Sequence, residues 1–121
     1  MSVNKVILIG NVGVKPTIQY AGEMPYASFN LATNERPRRK ADGTEMPEIT
    51  EWHRIVMKGR DAEIAEKYIE PGTKLYIEGK LRTRTWQDRN SIKRNVTEII
   101  VDQFDFLGRP NNSAPKPNGS E

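Results

Sequence analysis

Only Asp61 to Ile69 carries apolar residues at helical spacing; the other long apolar stretches are β-branched or alternate with a period of two. Within that stretch Ile64, Ala65, Tyr68 and Ile69 fall on one side and Glu63, Glu66 and Lys67 on the other, and Pro71 and Gly72 end it. The rest must build its core from strands. Val3 to Val12 is an apolar, β-branched run bounded by Gly10, Asn11 and Gly13, and Thr17 to Tyr20 continues it after Pro16. In Tyr26 to Thr33, Ala27, Phe29 and Leu31 alternate with Ser28, Asn30 and Ala32, which predicts a strand with one buried face. A hairpin through Ala21 to Pro25 joins the two. Trp52 to Met57 is a third strand, Lys74 to Trp86 a fourth, and Val96 to Leu107 a fifth after a turn at Asn90 and Ser91.

Three strands, one helix and two strands in 121 residues leave room for a single core whose sheet closes on itself. That order predicts an all-β, five-stranded Greek-key barrel of the OB type, with its short helix between the third and fourth strands. An SH3-like barrel, the competing small barrel, has no natural place for the helix. The domain is expected to span residues 1–107. Residues 108–121, GRPNNSAPKPNGSE, hold no apolar side chain larger than alanine apart from proline and predict a disordered tail. Asn34 to Thr50 reads as a long loop with a cationic half and an acidic half, and loops of that length in compact domains are usually functional or disordered.

The chain contains no cysteine, which removes disulfides, thiolate metal sites and a cysteine nucleophile, and fits a reducing compartment. Val6 to Ile9 is too short for a signal-peptide core and no stretch approaches a membrane span, so a cytoplasmic, nucleoid-associated chain is expected. With one histidine, His53, neither a histidine metal cluster nor a triad can be assembled. Glu45, Glu48 and Glu51 could be read as a nuclease metal site, but they sit in or beside an irregular loop with no partnered histidine, and balance the cationic half. No enzyme, metal or cofactor is expected.

A formal charge of +3 decides little, so the distribution of charge matters more. In Lys74 to Arg94, Leu75, Ile77, Gly79 and Leu81 take one face, while Tyr76, Glu78, Lys80, Arg82, Arg84 and Trp86 take the other. The second face is a cationic stripe ending in an indole, and Arg89, Lys93 and Arg94 continue the charge. Single-stranded nucleic acid requires such a surface, because cations follow the phosphates while aromatic faces stack on unpaired bases. A strand edge charged against aggregation uses Lys and Arg similarly but gives Trp86 no role. Trp52, Arg54 and Lys58 repeat the combination on the third strand. Arg36, Arg38, Arg39 and Lys40 add an uninterrupted cationic run in the loop. His53 points away from Trp52 and Arg54, toward a structural or subunit role.

Read together, NKVILIGNVG (Asn4 to Gly13), FNLAT (Phe29 to Thr33), TEWHRIVMKG (Thr50 to Gly59) and YIEGKLRTRTW (Tyr76 to Trp86) resemble the bacterial-type single-stranded DNA-binding proteins, in order and spacing, over about residues 2–107. The resemblance implies an OB domain, a homotetramer, and sequence-tolerant binding of single-stranded DNA in replication, recombination and repair. It implies base stacking by Trp52 and Trp86, strand contacts by Lys5, Arg54, Arg82 and Arg84, and subunit contacts by His53 and Tyr76. Pro37 and Lys58 stand where many members carry aromatic residues, so a larger electrostatic share of binding is expected. Many members end in an acidic peptide with a terminal phenylalanine that docks replication and repair proteins, whereas this chain ends in PNGSE. Two further readings are an accessory OB protein of replication restart, or a plasmid- or phage-borne relative, defined by a protein partner, and an RNA-binding OB domain.

Overall fold

The computed structural model describes residues 1–35, 40–44 and 46–110. Seven elements follow one another: β1 (Val6–Val12), β2 (Thr17–Ala21), β3 (Met24–Glu35), β4 (Ile49–Lys58), α1 (Arg60–Tyr68), β5 (Lys74–Gln87) and β6 (Lys93–Gly108). The strands pair in the order β1-β5-β6-β4-β3-β2, and β1 also pairs with β3. Five strands therefore form a closed ring, with β2 added outside it on β3. The all-β OB arrangement expected from the sequence is the one observed.

The strand count differs by one, because Thr17–Ala21 does not continue β1. It turns back on β3 through Gly22 and Glu23, with Ala21 opposite Met24 and Thr17 opposite Ser28. The helix consequently follows the fourth strand in chain order while keeping its expected place in the ring. β1 runs antiparallel to β5 from Val6 to Asn11, and at its far end Asn11 and Val12 cross to Ala32 and Leu31 of β3. The ring closes on a short parallel contact, Ile55 to Ile99 and Val56 to Ile100, between β4 and β6.

Inward-facing side chains fill the ring: Leu31, Ile55, Met57, Leu75 and Ile77 are fully buried, joined from the end of α1 by Ile69. The helix docks against β3 and β4 through Ala62 and Ala65, small residues that let its backbone approach the barrel closely. Tyr68, expected on its buried side, is instead exposed, because the buried stripe runs through Ala62, Ala65 and Ile69. No described helix is long and apolar enough to cross a membrane.

β5 and β6 outrun the barrel. A bulge shifts their register between Glu78, opposite Gln103, and Gly79, opposite Val101. Beyond it the two strands continue as a hairpin arm to Gln87 and Lys93. Leu81, placed on the inward side by alternation, is 50% exposed although its partner Ile99 is buried, because β1 pairs with β5 only as far as Gly79. Hydroxyl and amide pairs stiffen the arm instead: Thr83 with Thr97 at 3.1 Å and Thr85 with Asn95 at 2.9 Å. At the tip the Asp88 carboxylate accepts hydrogen bonds from the backbone N–H groups of Asn90 and Ile92 and from Arg94. Those bonds hold Asp88 below the ordinary carboxylate range.

Candidate nucleic-acid interface

Cross-strand partners share a face, so the register shows which side chains meet outside the barrel. Trp52 lies opposite Ala32 and Arg54 opposite Asn30 between β4 and β3. Arg82 lies opposite Glu98, Arg84 opposite Val96 and Trp86 opposite Arg94 between β5 and β6. Sequence alternation treats the Trp52 and Trp86 strands as neighbours, but β6 runs between them. The intervening strand supplies Glu98, which the sequence reading missed. Its only signal there was an acid in an otherwise apolar segment, TEIIV.

Glu98 ties the two stripes together. Its side chain is 5% exposed, and its Oε2 accepts hydrogen bonds from Arg54 Nε at 3.0 Å and Arg84 Nε at 3.2 Å, with Arg84 Nη2 also in ion-pair range at 3.1 Å. Burial works to raise the Glu98 pKa, but hydrogen bonds and charge from Arg84 and Arg54 outweigh it and hold the carboxyl below its ordinary value. Each guanidinium is fixed along one edge by the carboxylate while the remainder is open to solvent, at 39% and 49% exposure. Two arginines thus stand oriented without being consumed, and ordering them in advance lowers the entropic cost of a later phosphate contact.

A folded-state pKa below the unfolded value means that this bridge stabilises the protein above the ordinary carboxylate value of 4.5 and is lost as pH falls through the lower folded value. Glu98→Gln is therefore expected to lower the urea midpoint at pH 7. The gap between variant and parent should narrow by pH 3, and a gap independent of pH would exclude the bridge as its cause.

The two indoles are exposed to an extent unusual for tryptophan, 56% for Trp52 and 45% for Trp86. Trp86 stands on the arm beside Arg94. Trp52 forms one wall of an open recess of about 300 Å³, with Gly13, Val14 and Asn30 as the other lining residues. Gly13 is needed there, because a Cβ on it would lie 2.7 Å from Cζ3 of the Trp52 ring. Gly13→Ala is expected to leave the fold intact, since the indole can swing aside, but to shift the intrinsic fluorescence and weaken single-strand binding several-fold.

The remaining predicted residues are dispersed around these. Lys80 and Arg82 are exposed along β5, and Lys58 is exposed at the end of β4. Lys5 lies on the β1 side, 3.8 Å from Glu78, away from both indoles in register. Glu78 also accepts from the Tyr76 hydroxyl at 2.5 Å and from Gln103 at 2.7 Å. The Tyr76 bond, then the Gln103 bond, lower the Glu78 pKa, and the same bond raises that of Tyr76. Beside this network on β1, Ile7 and Ile9 are 57% and 52% exposed. His53 faces away from Trp52, its Nε2 2.8 Å from Thr33 Oγ1. His53 and Tyr76 are not brought together, because β4 and β5 do not pair. Arg36, Pro37, Arg38, Arg39, Glu45 and the tail from residue 111 lie outside the described residues; Lys40, Glu48 and Glu51 are exposed. Among the described residues no group of three or more acidic, histidine or cysteine side chains could hold a metal ion.

Residues 3–107 match the family described as the Single-strand binding protein family. A curated relative, the Single-stranded DNA-binding protein of Bacteroides thetaiotaomicron, is 47% identical over 126 aligned positions that include all of this chain and 78% of the relative. Among solved structures, a Plasmodium falciparum SSB complex with ssDNA superposes with a TM-score of 0.75 at 38% identity, covering 89% of this chain and 97% of that one.

Proposed function

The chain belongs to the single-strand binding protein family, and we propose that it holds unpaired DNA across the outer face of β4, β6 and β5, with bases on Trp52 and Trp86 and phosphates on the cations between them. The observation that carries this reading is the pairing of two half-exposed indoles with Arg54 and Arg84, which Glu98 holds in place between them. Lys58, Lys80 and Arg82 continue the cationic path, and Lys5 extends it toward β1. Arg36, Arg38 and Arg39, which follow β3 in the sequence, add further positive charge. Stacking tolerates any sequence because every base has a π-face, and duplex DNA, whose bases are stacked already, offers nothing to the indoles.

The protein performs no chemical step in this role: it coats single strands, prevents reannealing and protects bases during replication, recombination and repair in the cytoplasm. It does so as a homotetramer. Ile7 and Ile9, an exposed apolar pair beside Tyr76 on β1, together with His53 on the far side of β4, supply surfaces for subunit contact. Light scattering is expected to give four times the mass of the 13.8 kDa chain.

Fluorescence titration with oligo-dT, duplex DNA and oligo-U of equal length tests the reading. Strong quenching by oligo-dT, little by duplex, and an affinity falling with salt at about −0.7 in log–log slope per phosphate neutralised are expected. Equal quenching by oligo-U would make the protein an RNA binder as well, and no preference for single strands would end the proposal.

A further inference from the structure

We propose that the side-chain amide of Asn30 hydrogen-bonds the edge of the base stacked on Trp52, reading that a base is present without reading which one. The inference rests on the strand path proposed above and adds a polar contact to it. Asn30 lines the recess beside the indole, and its Cα partner is Arg54, the arginine fixed by Glu98. Its backbone carbonyl oxygen accepts the Gly13 N–H at 3.0 Å, which draws the Gly13–Val14 segment against β3 and shapes the opposite wall. Its side chain is exposed and hydrogen-bonded to no other described residue.

The walls offer a flat aromatic face, a glycine backbone and a valine, with the Asn30 amide as the lining side chain that carries both a donor and an acceptor, the indole N–H being a donor alone. At about 300 Å³ the recess lies at the small end of ligand sites and suits one base rather than a run of them. An amide presents a donor and an acceptor side by side. The pairing edge of every base does too: N6–H and N1 of adenine, N4–H and N3 of cytosine, N1–H and O6 of guanine, N3–H and O4 of thymine. Rotation of the amide exchanges its donor and acceptor, so one asparagine satisfies all four. A carboxylate or an ammonium in its place would favour some bases over others. The contact also requires a free edge, which duplex DNA does not present.

Oligo-dT methylated at every thymine N3 retains its stacking faces and phosphates but has blocked edges. The wild-type protein is expected to bind it roughly 2- to 10-fold more weakly than plain oligo-dT, the loss of about one net hydrogen bond per site. Asn30→Ala, and Asn30→Leu of similar size, are expected to bind plain oligo-dT more weakly than wild type and to bind the two oligomers equally. A methylation penalty of the same size in wild type and both variants, or none in wild type, overturns the role of Asn30 while leaving the strand path standing. Failure of plain oligo-dT to quench the wild-type protein would instead overturn the path and this contact together.

Discussion

Alanine at both Trp52 and Trp86 is expected to weaken oligo-dT binding by roughly 30-fold to 10⁴-fold, the consequence of losing about 1–3 kcal/mol of stacking at each of two sites. Both rings are about half exposed, so their truncation leaves the barrel core, built from Leu31, Ile55, Met57, Leu75 and Ile77, untouched. The urea midpoint of the double variant should fall only slightly. The salt dependence is the more discriminating readout: Arg54, Arg82 and Arg84 remain, so the log–log slope should keep its parent value while the whole line drops. A flattened slope would mean that the indoles position the cations rather than stack on bases. Of the single variants, Trp52→Ala is expected to be more costly, because its ring is a wall of a formed recess whereas Trp86 stands on the arm. Equal affinity of parent and double variant would remove the site from this face.

Gly79→Val is expected to destabilise the barrel severely, costing about 3 kcal/mol or more, a large share of the stability of a small domain. A Cβ at Gly79 would lie 2.2 Å from the carbonyl oxygen of Ile100 and 2.9 Å from its carbonyl carbon. Backbone cannot move aside as a side chain can, and this backbone is the point where the register of β5 and β6 shifts and the ring closes. The informative comparison is Leu81→Ala, two residues on. A buried leucine cut to alanine costs about 2–5 kcal/mol, but Leu81 is 50% exposed on the arm. Its loss should stay below about 1 kcal/mol. Urea unfolding of the two variants therefore locates the place where the barrel ends and the arm begins; a Leu81 effect as large as that of Gly79 would contradict that boundary.

That boundary also marks where local pattern stopped being a guide. Up to Gly79, alternation along β5 reports burial correctly, since Leu75 and Ile77 are covered on their inward side. Past it the same alternation continues, Leu81 included, yet β1 no longer flanks the strand, and Leu81 is exposed although its partner Ile99 is buried. Period two describes how side chains leave a strand; whether another layer waits for them depends on distant segments. Tyr68 shows the same limit on the helix, where spacing allows several stripes and the docking of Ala62 and Ala65 selects one.

Residue chemistry and spacing alone determined the class of surface: strands around one short helix, aromatic residues alternating with arginine and lysine, and four segments whose combination resembles one family. These are properties of neighbours along the chain, which β geometry converts directly into shared faces. Only the tertiary structure decided that β6 runs between the two aromatic strands and places Glu98 within 3.0 Å of Arg54 and 3.1 Å of Arg84. It alone set Gly13, Val14 and Asn30 around Trp52. Arg54 and Glu98, 44 positions apart in the chain, meet because the sheet closes into a ring, and closure is settled by the packing of the whole core rather than by any segment within it.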